Sequence, residues 1–135
     1  MRRTPSIPRG VWIAMVSGVG VEFVLGVASL VLVPTNRPDG WIPAHGRDVY
    51  LAHAVIGGLL GLGALLVLLR AVRDGSLVLL GAAVGSVGLL LGAGGGMLTV
   101  SHSWRPGGIA LMFAGTVVAL FGFLIALAAP LRTQE

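Results

Sequence analysis

The chain has 135 residues, 56% hydrophobic and only 10% charged, whereas a soluble domain carries about a quarter charged residues, so lipid is the expected solvent for most of it. All nine positive charges are arginines flanking apolar runs, which points to a lipid bilayer with anionic headgroups and away from nucleic acid as the partner of a chain with net charge +4. The absence of cysteine excludes disulfides, thiolate metal sites and thiol redox chemistry.

Four continuous apolar runs follow in chain order, roughly 11–33, 49–69, 77–100 and 108–129. Each meets or exceeds the ~20 residues that a helix needs to cross the hydrocarbon core. A spanning barrel would show short alternating segments, and an open sheet in lipid would leave its edges unpaired. The first run follows Arg2 and Arg3 but is longer than the apolar stretch of a signal peptide, so it reads as a retained span. The connection after it holds Pro34, Pro38, Gly40, Pro43 and Gly46, all helix breakers. The second connection is short, from Arg70 to Ser76, and Ser76 is expected to cap the third helix. The third runs from Ser101 to Gly107, with Pro106 near the start of helix four. Short connections make sequential helices antiparallel neighbours. The predicted fold is all-α: a single-domain, integral membrane four-helix up-down bundle.

Arginine sets the expected orientation. Arg2, Arg3, Arg9, Arg70, Arg73 and Arg132 fall on one side, against Arg37, Arg47 and Arg105 on the other. The positive-inside rule then places both termini in the cytoplasm (N-in, C-in) of a multi-pass protein of the cell inner (plasma) membrane. Trp41, Tyr50 and Trp104 cluster at the outer interface and Trp12 at the inner one, as an aromatic belt would.

Burying leucine does not drive helices together in lipid, but close contact between small residues does. Residues three or four apart share a helix face. By that rule the expected packing faces are Gly18, Glu22 and Gly26 in span one, and His53, Gly57 and Gly61 in span two. Span three offers Gly81, Gly85, Gly88, Gly92 and Gly96, and span four Gly108, Gly115, Ala119, Gly122 and Ala126.

Two ionisable side chains lie on these faces, so Glu22 and His53 are expected to turn into the bundle. An ionised carboxylate at the bilayer centre costs at least about 2.5 kcal/mol, which makes Glu22 a candidate proton, cation or ligand site. His53 is a second candidate, as a proton relay or a haem or metal ligand. Counting from the helix ends at 1.5 Å per residue puts His53 about 6 Å and Glu22 about 16 Å below the outer interface. Direct contact between them is therefore not expected. His102 and the thioethers of Met97 and Met112 are candidate second ligands for a haem b held by His53. No other cofactor and no metal are expected. Phosphate-binding loops, paired carboxylates, zinc-protease and haem-attachment motifs and nucleophile elbows are all missing, so an enzymatic role is not expected.

The strings Glu22-Phe23-Val24-Leu25-Gly26 and His53-Ala54-Val55-Ile56-Gly57 resemble a group of small four-span membrane proteins of actinobacteria. The resemblance implies the four-span topology and carries no activity. A fainter similarity links the chain to one four-helix half of haem A synthase, which implies haem ligation by histidines near the outer helix ends; span four here has no histidine. The leading expectation is a small subunit or accessory component of a membrane complex, working with other membrane subunits or as a homo-oligomer. Haem-based electron transfer through His53 and proton- or cation-linked transport through Glu22 are the alternatives.

Overall fold

The computed structural model describes residues 7–33, 43, 45–74, 76–100 and 105–129. Four helices account for its regular structure: α1 Arg9–Leu32, α2 Arg47–Ala71, α3 Ser76–Val100 and α4 Arg105–Ala128. At 1.5 Å per residue each is about 36 Å long, enough to cross about 30 Å of hydrocarbon. All four are apolar enough to span a membrane. The chain is thus an all-α, multi-pass membrane protein.

Each helix starts one to three residues before its apolar run does, and α1 and α2 open on Arg9 and Arg47. An arginine stem can lie along apolar surface while its head stays in the headgroups, so a helix continues where hydropathy stops. Ser76 is the first residue within α3, not a cap outside it. Pro8 precedes α1, and its carbonyl accepts the Val11 N–H at 2.9 Å. Gly46 precedes α2 with φ +70°, a conformation glycine adopts without penalty. A Cβ there would stand 3.0 Å from Val33 Cγ2 and 3.1 Å from the Leu32 carbonyl oxygen. Glycine is therefore required twice over, and it brings the start of α2 level with the end of α1.

The helices form a ring in which α1 packs on α2, α2 on α3, α3 on α4 and α4 on α1. Phe23 and Phe113 join α1 to α4 edge-to-face, with ring centres 5.4 Å apart. Ser86 donates to the Ala82 carbonyl in its own helix at 2.8 Å and lies 3.5 Å from the Ala64 carbonyl of α2.

The α3–α4 contact is the closest in the molecule. A Cβ on Gly81 would sit 2.6 Å from the Ala126 nitrogen and 2.7 Å from the Gly122 oxygen. One on Gly88 would collide with the backbone of Ala119, and one on Gly95 would sit 2.6 Å from the Gly108 oxygen. The opposite helix answers in kind, with Gly108 against Thr99 and Gly95, Gly115 against Gly88 and Gly92, and Gly122 against Gly81 and Gly85. The Phe123 ring fills the space over Gly85. The contacts advance by four and three residues in alternation, the 3.5-residue repeat of two helices wound around each other. That repeat corrects the expected seam at one position. After Gly92 it passes through Gly95, and Gly96 faces open space. Gly61 of α2 likewise meets nothing, because Leu60 takes the seam position after Gly57.

Bulky buried side chains gather at one end of the bundle, where α1 begins and α2 hands over to α3; this is the Arg70 end. They include Trp12, Met15, Val19, Leu60, Val67 and Phe123. The Ile7 N–H donates to Asp74 Oδ2 at 2.9 Å and ties the approach to α1 onto the α2–α3 turn. Trp12 is 4% exposed and part of this core, so it does not present its ring to lipid as an interfacial belt residue would. Trp41 and Trp104 lie outside the described residues. At the other end, the Gly46 end, the buried residues of the helices are small: Gly26, Ser29, Gly95 and Thr99.

Candidate functional site

α1 and α2 meet along a seam built differently from that of α3 and α4. Gly18, Glu22 and Gly26 share the side of α1 turned to α2, as their four-residue spacing requires. Gly18 lies under Leu60, Glu22 over Gly57, and Gly26 under the His53 ring. A Cβ on Gly57 would stand 2.5 Å from Glu22 Oε1, and one on Gly26 would stand 3.3 Å from His53 Cε1. Each glycine vacates the volume that the polar side chain of the facing helix occupies.

The outcome is a carboxyl and an imidazole in contact: Glu22 Oε1 lies 2.9 Å from His53 Nδ1. The two side chains are 16% and 22% exposed. This overturns the separation expected from helix depth. α2 begins at Arg47, two residues before the apolar run at 49, so His53 sits deeper than hydropathy placed it. His53 faces Gly26, and Glu22 faces Gly57, so the two backbones differ in level by one helical turn, about 6 Å. Two side chains reaching diagonally across the seam close that gap.

The approach is close without being a complete hydrogen bond. Neither His53 Nδ1 nor Glu22 Oε2 has an aligned hydrogen-bond partner, although both atoms are buried. A third buried atom shares this state. Ser29 is 9% exposed and its Oγ has no partner. Residues 22, 26 and 29 advance by four and three, so Ser29 continues the Glu22 face toward the Gly46 end. Ser29 does not stand out in the sequence, because a serine carries no charge penalty in a membrane helix. Extending the Glu22–Gly26 spacing by one heptad step would have found it.

The candidate haem ligands do not join this pair. Met112 points into the α3–α4 seam, 3.9 Å from the Thr99 hydroxyl, which donates to the Gly95 carbonyl at 2.8 Å. Met97 is 62% exposed on α3. His102 lies outside the described residues. His53 faces α1 while Met112 faces α3, so the described residues do not fit an axial ligand pair for haem. No group of three or more metal-binding side chains comes together among the described residues.

A carboxyl and an imidazole in contact can pass a proton between them. A neutral carboxyl–imidazole pair and a carboxylate–imidazolium pair carry the same net charge, so a proton can cross between them without leaving an isolated charge in hydrocarbon. Compared with family models, with curated proteins and with solved structures, the chain matches none.

Proposed function

We propose that this multi-pass membrane protein holds a proton-exchange site within the bilayer and works as a small, proton-linked component of a plasma-membrane assembly. The observation that carries this reading is the 2.9 Å approach of Glu22 Oε1 to His53 Nδ1. A lone ionisable group at mid-membrane is costly and is by default a functional position. Two such groups in contact lower that cost and make gain or loss of one proton accessible. Imidazole is also the side chain whose charge changes most readily near neutral pH.

The partner in the proposal follows from size. Four uninterrupted helices lack the broken-helix pairs with which secondary transporters build their own substrate site. The proton site would then serve other membrane subunits or further copies of this chain. The 6-to-3 arginine bias supports an orientation with both termini in the cytoplasm and the Gly46 end outward.

Infrared difference spectroscopy of the reconstituted protein, taken between acidic and alkaline buffer, tests this without needing the partner. The native protein should show a carboxyl band that is lost in Glu22→Gln and displaced in His53→Ala. If the native spectrum has no pH-sensitive band that Glu22→Gln removes, the reading fails.

A further inference from the structure

The α1–α2 seam changes character along its length. Toward the Arg70 end α1 brings the buried, bulky Trp12, Met15 and Val19, and Leu60 of α2 fills the space over Gly18. On α1 these are followed by Glu22, Gly26 and Ser29, and the whole series advances by three and four residues in alternation. On α2 the same alternation runs through Val67, Ala64 and Leu60, then Gly57, His53 and Tyr50, and of these Leu60, Gly57 and His53 meet Gly18, Glu22 and Gly26 of α1. Both strings therefore turn from apolar to small and polar at the same level, between Val19 and Glu22 on α1 and between Leu60 and Gly57 on α2.

We infer that the Glu22–His53 pair exchanges protons with one side of the membrane only, the Gly46 side, along a polar thread that Ser29 continues. This rests on the reading of the pair as a proton site and adds its direction of access. Ser29 is the independent sign: its hydroxyl is nine-tenths buried, lies on the Glu22 face, and has no hydrogen-bond partner. A buried hydroxyl left so carries its full desolvation penalty, which bridging water relieves. Glu22 and His53 are in contact, and Ser29 lies three residues beyond the Gly26 that the His53 ring covers, about 4.5 Å further along the axis, a step suited to one bridging water. In the opposite direction Val19, Leu60 and Met15 offer no polar N–H or O–H group to a proton, and the two aliphatic side chains are packed on their neighbours. Ser29 is a positioning residue here: it holds water for the pair and exchanges no proton of its own.

The absence of native cysteine makes the test clean. Ser29→Cys and Val67→Cys place single thiols within the last turn or so of α1 and α2, close to the helix ends Leu32 and Ala71 and so at similar depths from opposite faces. His45→Cys and Arg73→Cys, both exposed and at opposite ends, report the two surfaces. A membrane-impermeant thiol reagent is applied to either side of oriented vesicles. The Ser29→Cys protein should label from the same side as the His45→Cys protein, and the Val67→Cys protein from neither side. Equal labelling at positions 29 and 67, or labelling at neither, overturns the inference. If Ser29→Cys does not fold, a water-soluble carbodiimide on the native protein replaces it, with Asp48 and Asp74 as the side markers. Glu22 should then be modified from the Asp48 side alone, and modification from the Asp74 side or from neither overturns the inference. Cysteine labelling depends on access and not on titration of the pair. A one-sided pattern together with a silent infrared band would retire the proton site while leaving the polar thread, and the reverse would retire the thread alone.

Discussion

The two hairpins of this bundle use glycine for opposite ends. Between α3 and α4, glycine lets backbone meet backbone: the positions facing Gly81, Gly88 and Gly95 are peptide groups of the other helix. Between α1 and α2, glycine makes room for a polar side chain: Gly57 faces the Glu22 carboxyl and Gly26 the His53 ring. The first arrangement gains dispersion contact along a whole seam, the main source of helix association in lipid. The second leaves the helices farther apart and fills the gap with a carboxyl and an imidazole. A close-packed hairpin therefore anchors the bundle while the other holds its buried carboxyl–imidazole pair.

Substitutions that enlarge glycines of the α3–α4 seam should break the comparison most severely. Gly88→Leu drives a side chain into the Ala119 backbone, which cannot move without separating the helices. Even Gly88→Ala should cost about 1–3 kcal/mol by overpacking, and Gly88→Leu should abolish the folded state. Unfolding by denaturing detergent in mixed micelles measures both.

Removing one partner of the polar pair comes next. His53→Ala leaves the Glu22 carboxyl alone in the seam and should destabilise the protein by about 3 kcal/mol if the carboxyl is charged. Adding Glu22→Ala to it should cost less than the two single changes summed, because the groups share one interaction. Additive losses in that double-mutant cycle would mean the pair is not coupled.

Gly57→Ala sharpens the contrast with Gly88→Ala. Its new methyl meets the end of a flexible side chain, Glu22 Oε1 at 2.5 Å, and not a backbone. The carboxyl group can swing away, and alanine regains up to about 1 kcal/mol of helix propensity. Stability should be nearly unchanged while the infrared band assigned to Glu22 moves. A large stability loss would show that the α1–α2 seam is as rigid as the other one.

The smallest effects belong to glycines that meet nothing. Gly61→Ala and Gly96→Ala should be neutral, or stabilising by up to about 1 kcal/mol through propensity alone. Destabilisation at either position, in the same unfolding assay, would place an unseen partner there.

Length, hydropathy and breaker residues were sufficient to determine four spans and their succession, because a helix in hydrocarbon must satisfy its own backbone and needs a minimum length to do so. The spacing of Glu22 with Gly26 and of His53 with Gly57 likewise carried the information that both side chains share a glycine face. What those features could not supply was register. A shift of one residue moves a side chain by about 1.5 Å along the axis and by about 100° around it. Only the packed structure decided that α2 starts at Arg47, that Gly46 seats its first turn against Leu32, and that Gly26 lies opposite His53. The same applies to Gly95 in place of Gly96, and to Ser29, whose role depends on what faces it. Contact between Glu22 and His53 is a property of two helices settled against each other, and neither helix alone contains it.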